Sequence, residues 1–468
     1  TVNNYFNTSL STNFTLTQNV AKKYLKEQFK FSRFWDYETG FIQNPDKQQQ
    51  RAETPYVSAV NTFDLLLPVG SHFIRVYSLL NFNNSPQKLS FWPGVFSDRL
   101  NEGQTYKEAE QEYHMKEYSG QLFLRFTLTR KFWSFDTEPG FNFEFQNHRS
   151  FLKKDNIRME VDSLKNDYNW NNIELYLTEK INFKKENIRF GLDIPIKAIR
   201  YQMNDHIHQS IAPTGRLLFS PMFWYDCDFQ KFWSISGTIK HASRLGDASQ
   251  LTQGYIVKDY RLMQRRSDNL DDKRVFLANL ELEYKNPVAG FFSVGSWSNN
   301  QTTRSLIYRN IYTGTGIFLY DAVKSDNRAI TNNLSLNTSW VSSGQKITIS
   351  LKGQFMTTRY EYLLNQSRGS IHNRLLVLQP TIGINSLKKI GLDYNLKLSE
   401  VKQRNIQAAN TILGQVHKFS FYYYPSEKHW MGGNITKEGI NKYLESMKAQ
   451  GIVQASIFNI AAIYTKTV

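Results

Sequence analysis

The segment "NLSLNTSWVSSGQKITISLKGQF", residues 333–355, alternates apolar and polar side chains on both sides of a Ser-Gly step. In an extended chain successive side chains point to opposite faces, so Leu334, Leu336 and Trp340 share one face of the first arm. Ile347, Ile349, Leu351 and Phe355 share one face of the second. Pairing Trp340 with Ile347 and Leu336 with Leu351 around a tight loop at Ser343-Gly344 puts all of these on one side of a hairpin. That apolar side must meet either a second sheet or lipid.

The same period of two recurs along the chain. It is read in 121–133 (QLFLRFTLTRKFW), 140–146 (GFNFEFQ), 172–183 (NIELYLTEKINF), 187–199 (NIRFGLDIPIKAI), 278–285 (ANLELEYK) and 389–398 (KIGLDYNLKL). Segments such as 187–199 are about twice the usual five or six residues of a globular strand, a length that suits a tilted membrane-crossing strand. No stretch approaches the roughly 18 consecutive apolar residues of a membrane helix, and "TVNNYFNTSL" has no signal-peptide pattern. The spacing predicts short links near 20–21, 68–70, 134–139, 185–186, 228–230, 286–288, 343–344, 386–388 and 425–427. Long polar stretches lie between them, at 37–53, 84–117, 150–170, 244–272, 299–326, 360–370, 402–413 and 436–453. Short turns at one end and long loops at the other define a large antiparallel transmembrane β-barrel, with periplasmic turns, extracellular loops and roughly nineteen strands. A single domain over 1–468 is expected. Residues 436–450 read as a short amphipathic helix in an outside loop, with Ile440, Tyr443, Leu444 and Met447 on one face.

Composition narrows the function. The net charge of +16 comes from 57 Lys and Arg against 41 Asp and Glu. These residues are scattered and no nucleic-acid module accompanies them, so nucleic acid is excluded and an anionic surface of outer-membrane lipid or lipopolysaccharide is the expected neighbour. A single cysteine, Cys227, rules out an internal disulfide framework. The Asn-x-Ser/Thr triplets at Asn13, Asn300, Asn337, Asn365 and Asn434 read as solvated strand faces. Trp133, Phe183, Trp233, Tyr284, Trp340, Tyr424 and Trp430 all sit near short turns, where an interfacial aromatic girdle belongs. Glu179, in phase with Leu175 and Leu177, is the exception on the apolar face and is expected near an interface.

The sequences "GYIVKDYRLMQRRSDNLDDKRVFLANLELEYKNPVAGFF" (254–292), "LQPTIGINSLKKIGLDYNLKLSEV" (378–401) and "GQVHKFSFYYYPSEKHW" (414–430) resemble the β-barrel part of TonB-dependent receptors of Bacteroidetes outer membranes. The resemblance implies a barrel of about 22 strands, an N-terminal plug, and import energised through an inner-membrane TonB complex. No plug or TonB-contacting segment is read in these residues, so the expectation is a C-terminal part of a longer polypeptide. The alternative is a structural subunit of a larger outer-membrane complex, possible partners including a surface lipoprotein.

The alternation predicts pore-lining charges at Arg125, Arg189, Asp193, Lys197, Glu281 and Glu283, which would tune selectivity from inside the lumen. Catalytic sites are not evident. "FFSVGS" (291–296) lacks the first glycine and the helix of a nucleophile elbow, and "DSLKNDYNWNN" (162–172) lacks the alternating Asp pattern of a calcium loop. His206 and His208 in "DHIHQ" (205–209) have a possible metal-ligand spacing but no third ligand. No enzyme activity and no cofactor are expected.

Overall fold

A computed structural model of the chain describes residues 2–20, 23–42, 47–70, 72–266, 269–312, 318–342, 344, 346–364, 366–387, 389–405, 409–426, 429–444 and 453–466. Among the described residues the backbone crosses one continuous antiparallel sheet nineteen times. The first three passes are each interrupted once: β1 (Val2–Phe6, Ser9–Val20), β2 (Lys23–Phe34, Tyr37–Ile42) and β3 (Gln48–Glu53, Tyr56–Val69). Then follow β4 (His72–Trp92), β5 (Ala109–Arg130), β6 (Trp133–Lys154), β7 (Asn166–Lys185) and β8 (Ile188–Asp205). β9 (Ile211–Phe219, Met222–Phe229) is broken at Ser220-Pro221, and β10 (Trp233–Leu245), β11 (Asp272–Asn286), β12 (Phe291–Tyr312), β13 (Phe318–Val341) and β14 (Ile347–Leu364) continue the meander. It ends with β15 (Ser367–Leu387), β16 (Ile390–Arg404), β17 (Ala409–Ser426), β18 (His429–Leu444) and β19 (Val453–Lys466). Each pass pairs with the next in sequence.

The apolar stripe faces outward on the strands whose side chains are described. Leu175 and Leu177 on β7, Leu280 and Leu282 on β11, Leu334 and Leu336 on β13, and Ile349 and Phe355 on β14 are all exposed. In water such a surface would be untenable; in hydrocarbon it is what a strand must present, while the sheet hydrogen bonds satisfy the backbone. At the turn end, rings touch across the outer face. Trp133, Phe183 and Phe190 have centroids 4.9 and 4.8 Å apart along the series, Trp233 lies 4.7 Å from Tyr284, and Tyr284 lies 5.8 Å from Phe291. Phe291 is in turn opposite Trp340. The girdle therefore joins side chains far apart in sequence into one belt. Tyr424 and Trp430 lie outside the residues whose side chains are described.

Several local expectations change. Most of each long stretch expected between strands at 299–326, 360–370 and 402–413 is strand, because β12 to β17 run on into them. In the hairpin of β13 and β14, Trp340 stands opposite Ile349 and Leu336 opposite Gly353, two residues from the tight-loop register. A shift of two keeps every side chain on its face, so only the turn is affected. Ser342 closes this wider turn, its amide donating to the Ile347 carbonyl at 2.8 Å, and Gly344 takes a positive φ of 74°. The link placed at 134–139 is strand: the turn is at Lys131-Phe132, since Arg130 already pairs with Trp133. Finally, residues 436–444 belong to β18 instead of a helix, because edge-to-edge pairing with β17 and β19 satisfies more backbone groups than an isolated helical turn. Residues 445–450 lie outside the described residues.

Glu179 also differs from expectation. It lies four residues along β7 from Phe183, so about 10 Å from the girdle for a strand rising 3.4 Å per residue at 40° tilt. That places it well inside the apolar band, where the Thr137 hydroxyl donates to its carboxylate at 2.6 Å.

Candidate functional site

The inner face carries the ionisable groups. On β5, Leu122, Leu124 and Phe126 point out, which turns Gln121, Phe123 and Arg125 inward. Arg125 is opposite Arg75 on β4 and Glu138 on β6. Two like charges in direct register repel, and each is neutralised by its own acid. Arg75 donates twice to Asp64, at 2.8 Å from both Nε and Nη2, and Arg125 Nε donates to Glu138 at 2.7 Å. The forks match carboxylate geometry and fix both side chains. Below them Tyr77 and Phe123 stack at 4.9 Å, with Arg75 5.5 Å from the Tyr77 centroid and Arg125 5.4 Å from that of Phe123.

The row continues around the wall. The Tyr176 hydroxyl accepts from Gln121 at 3.0 Å and donates to Glu138 at 3.4 Å. Glu174, two residues away on the same face, accepts from Asn142 at 2.7 Å and from Lys197 at 2.8 Å. Asp64, Arg75, Arg125, Glu138, Tyr176, Glu174 and Lys197 thus form a linked band from β3 to β8. Sequence reading singled out Arg125 and Lys197 but missed Asp64, Arg75, Glu138 and Glu174. Parity could have found Arg75, since Ile74 and Val76 flank it on the opposite face, yet which acid reaches which base depends on register.

The other predicted charges are dispersed. Asp193 lines a cavity of about 470 Å³ with Lys197, Lys240 and Arg244. Arg189 pairs with Asp226 at 2.8 Å near the turns. Glu283 pairs with Lys285 at 2.8 Å, and Glu281 lies among Ser236, Asn279 and Ser296. Neither glutamate joins the band. His206 and His208 diverge: the former contacts the Asn169 amide at 3.2 Å, and Nε2 of the latter contacts the Asp162 carbonyl at 3.0 Å. Among the described residues no group of three His, Cys, Asp or Glu side chains could hold a metal.

Above the band, the loop 246–271, described except at 267 and 268, folds against the inner wall. Asn166 grips it with both amide atoms, accepting from the Gly254 amide at 2.8 Å and donating to the Gly254 carbonyl at 3.2 Å. The Tyr168 hydroxyl donates to the Ala248 carbonyl at 3.0 Å, and Gln111 accepts from the Val257 amide at 3.3 Å. Leu251, Ala248, Val257 and Met263 are buried between loop and wall with Tyr168, Trp170 and Leu152. A second loop, 93–108, packs beside it through Phe96, Leu100 and Tyr106. Gly94 is needed there, since a Cβ would lie 2.2 Å from the Tyr106 ring.

A polar, ion-paired inner wall, an apolar outer wall with an aromatic belt and inward loops at the mouth define an outer-membrane β-barrel. Its fold is that of the TonB-dependent receptor barrels. The copper transporter OprC superposes with a TM-score of 0.50 over 98% of this chain and 79% of that one, at 11% identity. The siderophore receptor PirA from Pseudomonas aeruginosa gives 0.40 at 10% identity, covering 97% and 80%. The ferric citrate transporter FecA gives 0.45 at 7% identity, covering 98% and 78%. At 11% identity the OprC likeness defines the fold alone. No family model matches the sequence. A 32-residue stretch is 56% identical to a putative beta-glucuronidase from Formosa agariphila, but spans only 7% of this chain and 3% of that protein.

Proposed function

We propose that the chain is the barrel of a TonB-dependent outer-membrane transporter that passes a ligand through a gated lumen, energised by an inner-membrane TonB complex. The observation that carries this reading is the linked band Asp64–Arg75–Arg125–Glu138–Tyr176–Glu174–Lys197 beneath the inward loop 246–271. A wall of fixed, mutually balanced charges keeps the lumen wet and screens solutes by charge, while the loop narrows the mouth. A barrel serving only as a scaffold has no need for such a band to remain open to water.

The test is solute entry into proteoliposomes. Flux of anionic, neutral and cationic solutes of equal size is expected to differ, and Arg125→Gln with Lys197→Gln is expected to shift the anion-to-cation ratio by about threefold or more, as a change in fixed lumen charge does. Absence of flux, or flux blind to both charge and substitution, overturns the reading in favour of a structural subunit.

A further inference from the structure

The loop 246–271 encloses a second cavity, of about 440 Å³, against the inner faces of β3, β4 and β5. Four charged residues border it, Glu53, Lys88, Lys258 and Arg266, but Glu53 and Lys88 stand opposite each other on the strand face away from Ala52, Leu89 and Gln111. Two are already neutralised, Glu53 by Arg51 at 2.9 Å and Lys88 by Glu110 at 2.6 Å. Lys258 and Arg266 have no carboxylate partner among the described residues. Arg266 is held by its backbone, its amide donating to the Thr252 carbonyl at 2.8 Å, and its guanidinium contacts the Ser249 hydroxyl at 3.5 Å, which in turn donates to the Asp247 carboxylate, so that acid approaches Arg266 through the hydroxyl and forms no ion pair with it. Lys258 is tied in by its amide, which donates to the Leu262 carbonyl at 2.9 Å.

Two cations in one cavity, neither of them ion-paired among the described residues, raise the free energy of the empty site. The Lys258 ammonium lies below the usual lysine value, through desolvation first and the Arg266 charge second, although the residue as a whole is exposed to water. Asp259, the nearest acid in sequence to Lys258, is turned away to cap its own turn, accepting from the Arg261 and Leu262 amides at 2.7 and 2.9 Å. The remaining lining offers amide and hydroxyl groups from Gln87, Gln264 and Thr252 beside the apolar Met115. The cavity is thus polar, partly apolar and, among the described residues, lined by two cations that form no ion pair.

We infer that this cavity binds an oxyanion-bearing solute, its carboxylate, sulfate or phosphate group held between Lys258 and Arg266 and its body against Gln87, Gln264 and Met115. Planar guanidinium and ammonium donors together fit an oxyanion better than a spherical halide, because two or more oxygens accept at once. The site deepens the transport reading and rests on it, naming the chemistry of what the mouth would select.

The test uses the whole chain in detergent at fixed ionic strength, with phenyl phosphate, phenol and phenyltrimethylammonium as probes that share a ring and differ in charge, read by calorimetry. Phenyl phosphate is expected to bind saturably, and phenol and the cation at least about tenfold more weakly. The double variant Lys258→Gln, Arg266→Gln is expected to lose phenyl phosphate binding by about tenfold or more. The exchange Lys258→Arg, Arg266→Lys, which keeps both charges, should stay within about threefold of the parent, with heat-modifiable gel mobility confirming folding of each variant. Phenol binding as well as phenyl phosphate, or the double Gln variant binding unchanged, overturns the site. If proteoliposome flux persists while phenyl phosphate fails to bind, the site is wrong and the transport reading stands; if flux is absent too, both fall.

Discussion

Leu280→Arg is expected to destabilise the folded barrel by about 2–4 kcal/mol, the cost of a cation on the lipid face near mid-bilayer. Leu280 points outward from β11, flanked by Gly237 and Trp297 on neighbouring strands. It lies four residues from the girdle ring Tyr284, about 10 Å into the apolar band at a rise of 3.4 Å per residue and 40° tilt. No acid is adjacent on that face, so the guanidinium can be relieved only by snorkelling or local thinning of the bilayer. The adjacent residue supplies the control. Asn279 faces the lumen beside Glu281 and Ser236, and Asn279→Arg is expected to change stability by less than about 1 kcal/mol, since a wet wall tolerates charge. Reversible urea unfolding in phospholipid vesicles measures both. Equal penalties for the two variants, or a larger one at 279, would mean that the stripes have been assigned to the wrong sides.

That contrast also marks what the sequence made legible. Alternation in Leu280, Leu282 and Glu281, Glu283 separates lipid from lumen without any knowledge of pairing, because the period of a strand is fixed at two. The number of passes and most of the turns followed from the same signal, and Asn13, Asn300 and Asn337 fall on the inner face as read. Turn positions were less legible. Residues 134–139 contain Asp136 and Pro139, with Gly140 next, yet the tight turn is at Lys131-Phe132, because pairing of β5 with β6 outweighs local turn preference. The candidate site was legible only in part. Arg125 and Lys197 could be placed by parity, but their acids, Glu138 and Glu174, are chosen by cross-strand register. The inward loop left no sequence signal at all, since the grip of Asn166 on Gly254 spans 88 residues. A polar stretch between strands reads the same whether it stands in water or folds into the lumen.

Asn166→Leu is expected to unseat that loop without unfolding the barrel. Asn166 is 1% exposed, and its amide is the sole side chain that bonds both the N–H and the C=O of Gly254 among the described residues. Leucine keeps the branched heavy-atom shape of asparagine with bulkier methyl ends, and it leaves two backbone groups buried without partners, at about 1–3 kcal/mol each. Reseating the loop costs that penalty, whereas opening it restores water to both groups, so the opening equilibrium should shift by tenfold for every 1.4 kcal/mol. A change on the loop side should act the same way: a Cβ at Gly254 would lie 2.1 Å from the Lys165 carbonyl, so Gly254→Ala must move the loop off the wall. Ser150, which accepts from the same Asn166 amide at 2.8 Å, offers a milder contrast. Ser150→Ala removes one acceptor and leaves the Gly254 clamp in place, for a cost of about 1 kcal/mol. Amide exchange across 246–264 should therefore speed at least about tenfold in Asn166→Leu and Gly254→Ala, by a smaller factor in Ser150→Ala, and not at all in β11 or β12, whose ladders do not depend on the loop. Faster exchange spread evenly over the strands would show that Asn166 supports the barrel as a whole, and unchanged exchange in the loop would show that its apolar contacts through Leu251 and Val257 hold it alone.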